Sequence, residues 1–362
     1  MSISKKAMLP VAAVGVIIAL AGVAPARAVD LGETSVPREK LLVYLLVGNS
    51  ALTGRDYDKD TVVHPRCWNY VLYDCDNRFS WQPAREPICA DKNNHGEKGG
   101  PTLPFLKRLA SELGENYYCA SLQISGSAFT VADRFLPGYE EYDLLIDKAL
   151  TLKDEVTFAG IISMLGLVEV EEGETYVTDF LDNIEMMVGR MREDLGMPDL
   201  PYIHSGYPRE AGGRYAVTTT GAIQILEQEA QVTERISNAA VVPTEGLTIL
   251  EDLYLSHYDR EGCIAWGERV VEVLTGNEWL PGEVSVRPQG NPGRFRSHPA
   301  GGKRLIVLRG AVPALSSPLH GRPGVFTPDG RRQVTTGRGS NAGRSGVCVG
   351  RPANYTRRRE GL

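Results

Sequence analysis

Seven consecutive apolar residues, Leu41 to Val47, run directly into Gly48-Asn49-Ser50. The run is too short for a comfortable helix and predicts a strand buried on both faces of a parallel sheet. The rest of the body alternates accordingly. Pro104–Leu113 carries Phe105, Leu106, Leu109 and Leu113 on one stripe and stops at Gly114; the spacing predicts a helix. Tyr117–Ile124 and Phe158–Leu165 read as the second and third strands, with a helix over Tyr142–Leu152 between them. The helical period is clearest from Thr178 to Leu195, where Phe180, Ile184, Met187, Val188, Met191 and Leu195 recur before Gly196. A fourth strand after Pro201, a helix through Ile223–Ile236, a short strand at Ala239–Val242 and a last helix over Cys263–Leu274 complete the pattern. Such alternation predicts a doubly wound α/β sheet, whose sites gather at the carboxyl ends of the strands.

The chain has 362 residues, 42% apolar and 23% charged, which excludes collagenous, disulfide-dense and uniformly disordered classes. Its net charge of −6 conceals a division. Residues 281–362 hold 15 basic and 3 acidic side chains, whereas the other 280 residues hold 24 and 42. The acidic body therefore offers no face for nucleic acid. The basic tail contains 15 Gly and 9 Pro and lacks periodicity. It is expected to be disordered or frameshifted, since chain without core-forming residues and GC-rich DNA read out of frame share this composition. An anchor to an anionic envelope polymer is a third reading of it.

At the other end, Lys5 and Lys6 precede an apolar run from Ala7 to Val23 and the small-x-small triplet Ala26-Arg27-Ala28. Residues 1–28 read as a signal peptide, which leaves no membrane span after its removal and predicts a secreted or periplasmic protein. Four of the six cysteines, Cys67, Cys75, Cys89 and Cys119, lie close in sequence without CxxC spacing, so disulfides among them are expected rather than a metal site. Asp56, Asp58 and Asp60 alternate like the start of a calcium loop. Thr61 stands where the loop needs Gly and Cys67 where it needs Glu, so they are read as solvated turn carboxylates. No metal and no cofactor is called for.

A serine on a tight turn beyond a buried strand is exposed and flanked by backbone N–H groups, the situation a nucleophile needs. The stretch Gly48-Asn49-Ser50-Ala51-Leu52-Thr53-Gly54-Arg55 resembles the Gly-Gln-Ser-Asn-x-x-Gly-Arg opening of the sialate O-acetylesterase-like carbohydrate esterases of the SGNH (GDSL-like) hydrolase superfamily. Gly99-Gly100-Pro101 resembles their Gly-Pro segment before the first helix, and Ser125-Gly126-Ser127 their Gly-Gly-Ser turn after the second strand. Ser256-His257-Tyr258-Asp259 with Trp266-Gly267-Glu268 resembles their His loop and closing helix.

The resemblance implies a three-layer α/β/α, flavodoxin-like fold with about five parallel strands over residues 29–280. It implies Ser50 as nucleophile, His257 as general base, and the N–H groups of Ser50 and Gly126 as oxyanion donors. Two motifs depart from the family. Its Gln-Gly-Glu after the third strand is Leu165-Gly166-Leu167 here, with Glu169 the surviving acid, and the Asp three residues before its His is Tyr254. Asp252, then Glu169, then Asp259 are the expected orienters of His257. The implied activity is removal of acetyl or similar acyl groups from an acylated carbohydrate; the alternative is a catalytically impaired glycan-binding relative on the same scaffold. The acyl group, the sugar and the oligomeric state are left open.

Overall fold

Leu41–Gly48 lies in the middle of a seven-stranded sheet, with all eight residues buried. This computed structural model describes residues 28–55, 60–72, 79–88, 99–251 and 254–281. Residues 1–27 of the segment read as a signal peptide, the tail from residue 282, Asp56, Asp58, Cys75, Cys89, Cys348 and Asp252 lie outside the described residues.

Nine strands are present among the described residues. Strands β1 (Ala28–Leu31) and β2 (Thr34–Pro37) pair as an antiparallel hairpin, with Val29, Leu31 and Val36 in the core. The sheet contains β3 (Leu41–Gly48), β4 (Cys67–Leu72), β5 (Phe79–Pro83), β6 (Tyr118–Ser125), β7 (Thr157–Met164), β8 (Tyr202–Ser205) and β9 (Ala239–Val242), in the order β5-β4-β6-β3-β7-β8-β9. Strands β4, β6, β3, β7, β8 and β9 are mutually parallel, and β5 closes the edge antiparallel to β4. The five strands from β6 to β9 have the 2-1-3-4-5 order of flavodoxin-like folds, which places the ligand crevice at the carboxyl end of the first strand, here β3. The β4–β5 hairpin adds a sixth parallel strand to the five expected. Its residues are mostly half-buried, and it lacks the apolar run that marks β3.

The helices are α1 (Ser50–Thr53), α2 (Thr102–Glu112), α3 (Val131–Arg134), α4 (Glu140–Leu152), α5 (Leu167–Glu172), α6 (Glu174–Thr178), α7 (Phe180–Leu195), α8 (Thr220–Glu229), α9 (Val232–Arg235) and α10 (Arg260–Gly276). The single helix expected over 223–236 is divided at Ala230 and Gln231 into α8 and α9. Helix α2 packs against α10, while α4, α7 and α8 form a second group, which completes three layers. On α7 the buried face is Phe180, Ile184, Met187, Val188, Met191 and Leu195, the predicted stripe. Burying each such side chain stabilises the fold by about 1.5–3 kcal/mol. Gly267 lets α10 approach α2 closely, because a Cβ there would lie 2.6 Å from the Phe105 backbone nitrogen.

Two expectations are corrected. Cys67 and Cys119 are neighbours in the β4–β6 ladder, yet both are buried free thiols with Sγ atoms 3.8 Å apart. The Cys119 thiol donates to the Leu106 carbonyl at 3.2 Å instead. Asp60 is not a solvated turn carboxylate: it accepts from Lys107 Nζ at 2.6 Å and from Arg260 Nη2 at 3.1 Å. Arg260 also reaches Glu86 at 2.8 Å, so this cluster ties α2, α10 and the two loop segments together.

Candidate active site

Strand β3 ends at Gly48, and α1 begins two residues later. Asn49 caps that short helix, its Oδ1 accepting from Ala51 N at 2.9 Å. Ser50 thereby becomes the first residue of a helical turn at the sheet's carboxyl edge. Its N–H belongs to the first turn, whose donors find no acceptor within the helix. Gly54 ends the turn with φ +89°, and a Cβ there would lie 1.9 Å from the Gly99 carbonyl oxygen. The two glycine segments of the motif, Gly54 and Gly99-Gly100, are thus pressed against each other.

A polar thread runs beneath α1. Thr53 Oγ1 lies 3.0 Å from Ser125 Oγ, Gln123 Nε2 donates to Ser125 Oγ at 2.9 Å, and Thr102 Oγ1 donates to Gln123 Oε1 at 2.7 Å. It joins the turn bearing Ser50 to β6 and to the start of α2. Sequence reasoning missed this thread, although alternation of Gln123 and Ser125 within an otherwise apolar strand was a visible signal.

From the opposite end of the chain, His257 brings its Nε2 to 3.0 Å from Ser50 Oγ. The imidazole is buried, with 3% of the residue exposed. Asp259 supports the loop by capping α10, its Oδ1 accepting from Gly262 N at 2.8 Å and also from Thr248 Oγ1. The sequence-derived nucleophile and base are therefore together, 207 residues apart in the chain.

The other expected site residues stand differently. Asp259 is a helix cap, and its Oδ1 is already engaged twice. Glu169 is fully buried, with Oε1 accepting from Val131 N at 2.9 Å and Oε2 from Gly166 N at 2.7 Å. It fastens the loop after β7 to α3 rather than orienting His257. Burial raises its pKa above the ordinary carboxylate value, and the backbone donors offset only part of that rise. The Gly126 N–H donates to the Gly48 carbonyl at 3.3 Å, extending the β3–β6 ladder instead of facing open space.

Tyr254, at the position of the family's Asp, packs its ring against the His257 ring with centroids 5.6 Å apart and planes at 85°. Two guanidinium groups approach the same Tyr254 ring: Arg55 at 5.2 Å and Arg214 at 5.9 Å from its centroid. Arg55 also donates from Nη2 to Ser127 Oγ at 3.2 Å, so it spans the turn after β6 and the His loop. Arg214 is paired with Glu171 at 2.8 Å. A recess of about 470 Å³ is lined by Gly213, Arg214, Tyr254 and Leu255. Neither the arginines nor Tyr254 had been assigned a binding or positioning role from sequence.

Another histidine is paired with a carboxylate inside the fold. His204 Nε2 lies 3.0 Å from Glu229 Oε1, and its Nδ1 is 2.9 Å from Ser163 Oγ. Ser163 and His204 have no solvent exposure and Glu229 only 3%, so this arrangement is internal.

A serine and a histidine are thus in contact at the carboxyl edge of a 2-1-3-4-5 sheet. Over residues 40–275 the chain matches the family described as carbohydrate esterase, sialic acid-specific acetylesterase, and it belongs to that family. It is similar to a probable carbohydrate esterase of Arabidopsis thaliana, 23% identical over 266 residues that cover 68% of this chain and 95% of the plant protein. The crystal structure of that Arabidopsis protein superposes with a TM-score of 0.52 at 18% identity, covering 65% of this chain and 98% of that one. The crystal structure of NanS gives a TM-score of 0.52 at 13% identity, over 65% and 97% of the two chains.

Proposed function

We propose that this protein is an exported serine esterase that removes acetyl groups from a carbohydrate, with Ser50 as nucleophile and His257 as general base. Membership of the family carries the acetyl-esterase class. The 3.0 Å contact between Ser50 Oγ and His257 Nε2 is the single observation that carries the residue roles. In this mechanism His257 Nε2 takes the hydroxyl proton as Ser50 Oγ attacks the acetyl carbonyl. The oxyanion forms beside the Ser50 N–H at the start of α1. His257 then returns the proton to the departing sugar oxygen. Water, deprotonated by the same imidazole, releases acetate and restores Ser50. Export rests on Lys5-Lys6, the Ala7–Val23 run and Ala26-Arg27-Ala28.

Hydrolysis of 4-nitrophenyl acetate and of an O-acetylated sugar by the purified chain tests the reading, with Ser50→Ala as control. Turnover that survives in Ser50→Ala overturns the assignment. A second reading, a glycan binder with little turnover, is favoured by two observations. Leu165 replaces the family's Gln, and the Gly126 N–H is held by Gly48. Binding of an acetylated sugar without release of acetate distinguishes it.

A further inference from the structure

The contacts around Tyr254 form a closed circuit. Ser50 Oγ meets His257 Nε2 at 3.0 Å, and the His257 ring meets the Tyr254 ring almost at right angles, with centroids 5.6 Å apart. The Tyr254 ring in turn carries the Arg55 guanidinium at 5.2 Å from its centroid. Arg55 follows Gly54, the residue that closes the serine turn, so the circuit returns to the segment that bears Ser50.

An imidazole turns about its Cβ–Cγ bond in a broad well, so the side chain itself does not select the angle that aims Nε2 at the serine. Neighbours must select it. An edge-to-face aromatic contact has a preferred geometry, which gives the ring a reason to stay at one angle. Tyr254 is itself held from three directions. Arg55 is attracted to its face and is tethered to Ser127 Oγ at 3.2 Å. Arg214 lies 5.9 Å from the same centroid and is fixed by Glu171 of α5 at 2.8 Å. The next residue, Leu255, has its carbonyl held by the Gly212 N–H at 2.8 Å. Leu255 adopts φ +51°, a left-handed conformation that is costly for a bulky residue and persists where the surroundings over-determine it. The backbone is thus strained at the point that delivers the Tyr254 ring to the imidazole.

We propose that Tyr254 is a positioning residue: its ring, anchored by Arg55, sets the angle of the His257 imidazole so that Nε2 faces Ser50. The assignment rests on the esterase reading for the reaction it serves, and Ser50 and His257 keep the bond-breaking roles. Arg55 makes the aim of the base depend on the same turn that carries the nucleophile.

The test measures 4-nitrophenyl acetate hydrolysis by the full chain and its variants. Tyr254→Leu is expected to lower kcat by about three- to tenfold, the worth of one aromatic pair, with KM little changed. Tyr254→Phe, which keeps the ring, is expected to restore most of kcat. Arg55→Met is expected to lower kcat as well, but to add nothing in a Tyr254→Leu background, because it acts through that ring. A loss confined to KM would make Tyr254 a substrate contact and overturn the proposal. Equal losses in the Leu and Phe variants, or additive losses from Arg55 and Tyr254, would overturn it too. Crystal structures of both Tyr254 variants supply a readout that does not depend on turnover. The Ser50 Oγ–His257 Nε2 contact is expected to be lost in Tyr254→Leu and kept in Tyr254→Phe; a contact kept in both removes the assignment. If the wild type hydrolyses no acetyl ester, the esterase reading fails by itself, and the two crystal structures still decide whether Tyr254 aims the imidazole.

Discussion

The backbone N–H of Leu250 donates to the carbonyl oxygen of His257 at 2.7 Å, so the residue bearing the imidazole is tied to the strand of chain opposite it. Ile249 and Tyr258 bridge antiparallel at the same place. The Asp259 N–H reaches the Thr248 carbonyl at 3.3 Å, and the Asp259 carboxylate caps α10. The backbone that carries the imidazole is thus held by its loop's main chain and by a helix terminus.

Asp259→Ala removes the cap and the Thr248 contact together. It is expected to destabilise the fold by about 1–2 kcal/mol and to lower kcat beyond the loss explained by unfolded protein. Asp259→Asn, which still caps, is expected to recover most of both. Urea midpoints measured beside initial rates check the two readouts.

Ser50→Ala and His257→Ala are each expected to reduce kcat by about a thousandfold or more, with circular dichroism unchanged. Because the two act as a unit, the double variant should be no slower than the worse single one. Additive losses would mean that the side chains work independently despite their contact.

Acid should weaken the Asp60 cluster. Partial burial pushes the Asp60 pKa upward, but the hydrogen bond and charge of Lys107, with Arg260 behind, outweigh it and hold the carboxylate below its ordinary value. A depressed folded pKa gives stability that is present above the unfolded value of about 4 and is lost as pH falls through the folded one. Glu86 acts oppositely: burial raises its pKa above ordinary, so ionising it costs stability as pH rises between its unfolded and folded values. Asp60→Asn should therefore flatten the acid limb of the stability curve, and Glu86→Gln should not. Denaturation midpoints from about pH 3 to 6 separate them.

His204→Ala leaves the Glu229 carboxylate buried with only the Tyr207 N–H as donor, at 2.7 Å, and its other oxygen already lacks a partner. Breaking a buried pair in this way is expected to cost about 3–5 kcal/mol. Replacing both residues, as His204→Leu with Glu229→Met, should cost less than the single change. A larger loss in the double variant would show that packing around His204, rather than the stranded charge, dominates.

What could be read from the sequence was whatever a strong periodic or motif signal marked. β3 was legible because it is apolar on both faces; α7, because its stripe repeats over sixteen residues. Ser50 and His257 were legible through the motif blocks around them. The β4–β5 hairpin was not, since half-buried edge strands such as Phe79–Pro83 carry mixed polar and aromatic residues with no clean alternation. Glu169 was misassigned because its order along the chain matched the family's acid, while the destination of its oxygens depends on where α3 docks. Gly126 was misassigned similarly: a turn glycine looks alike whether its N–H faces the site or continues a ladder. Arg55 and Tyr254 meet only after chain segments some 200 positions apart are folded together, which no local pattern reveals.

The separation of Ser50 from His257 also has a consequence in time. Ribosomes add about 5–20 residues per second, so the 207 residues between the two side chains take about 10 to 40 seconds to synthesise. For all of that interval the base does not yet exist, and the serine turn itself is complete only once Gly99, Thr102 and Ser125 have followed it. A chain stopped short of the His loop would retain the strands through β9 and the hydroxyl at their edge, but would have nothing to take its proton. On the proposed roles, acetate release would therefore report more than the presence of a serine turn: it would show that the loop before the final helix has been made and has brought His257 to that turn.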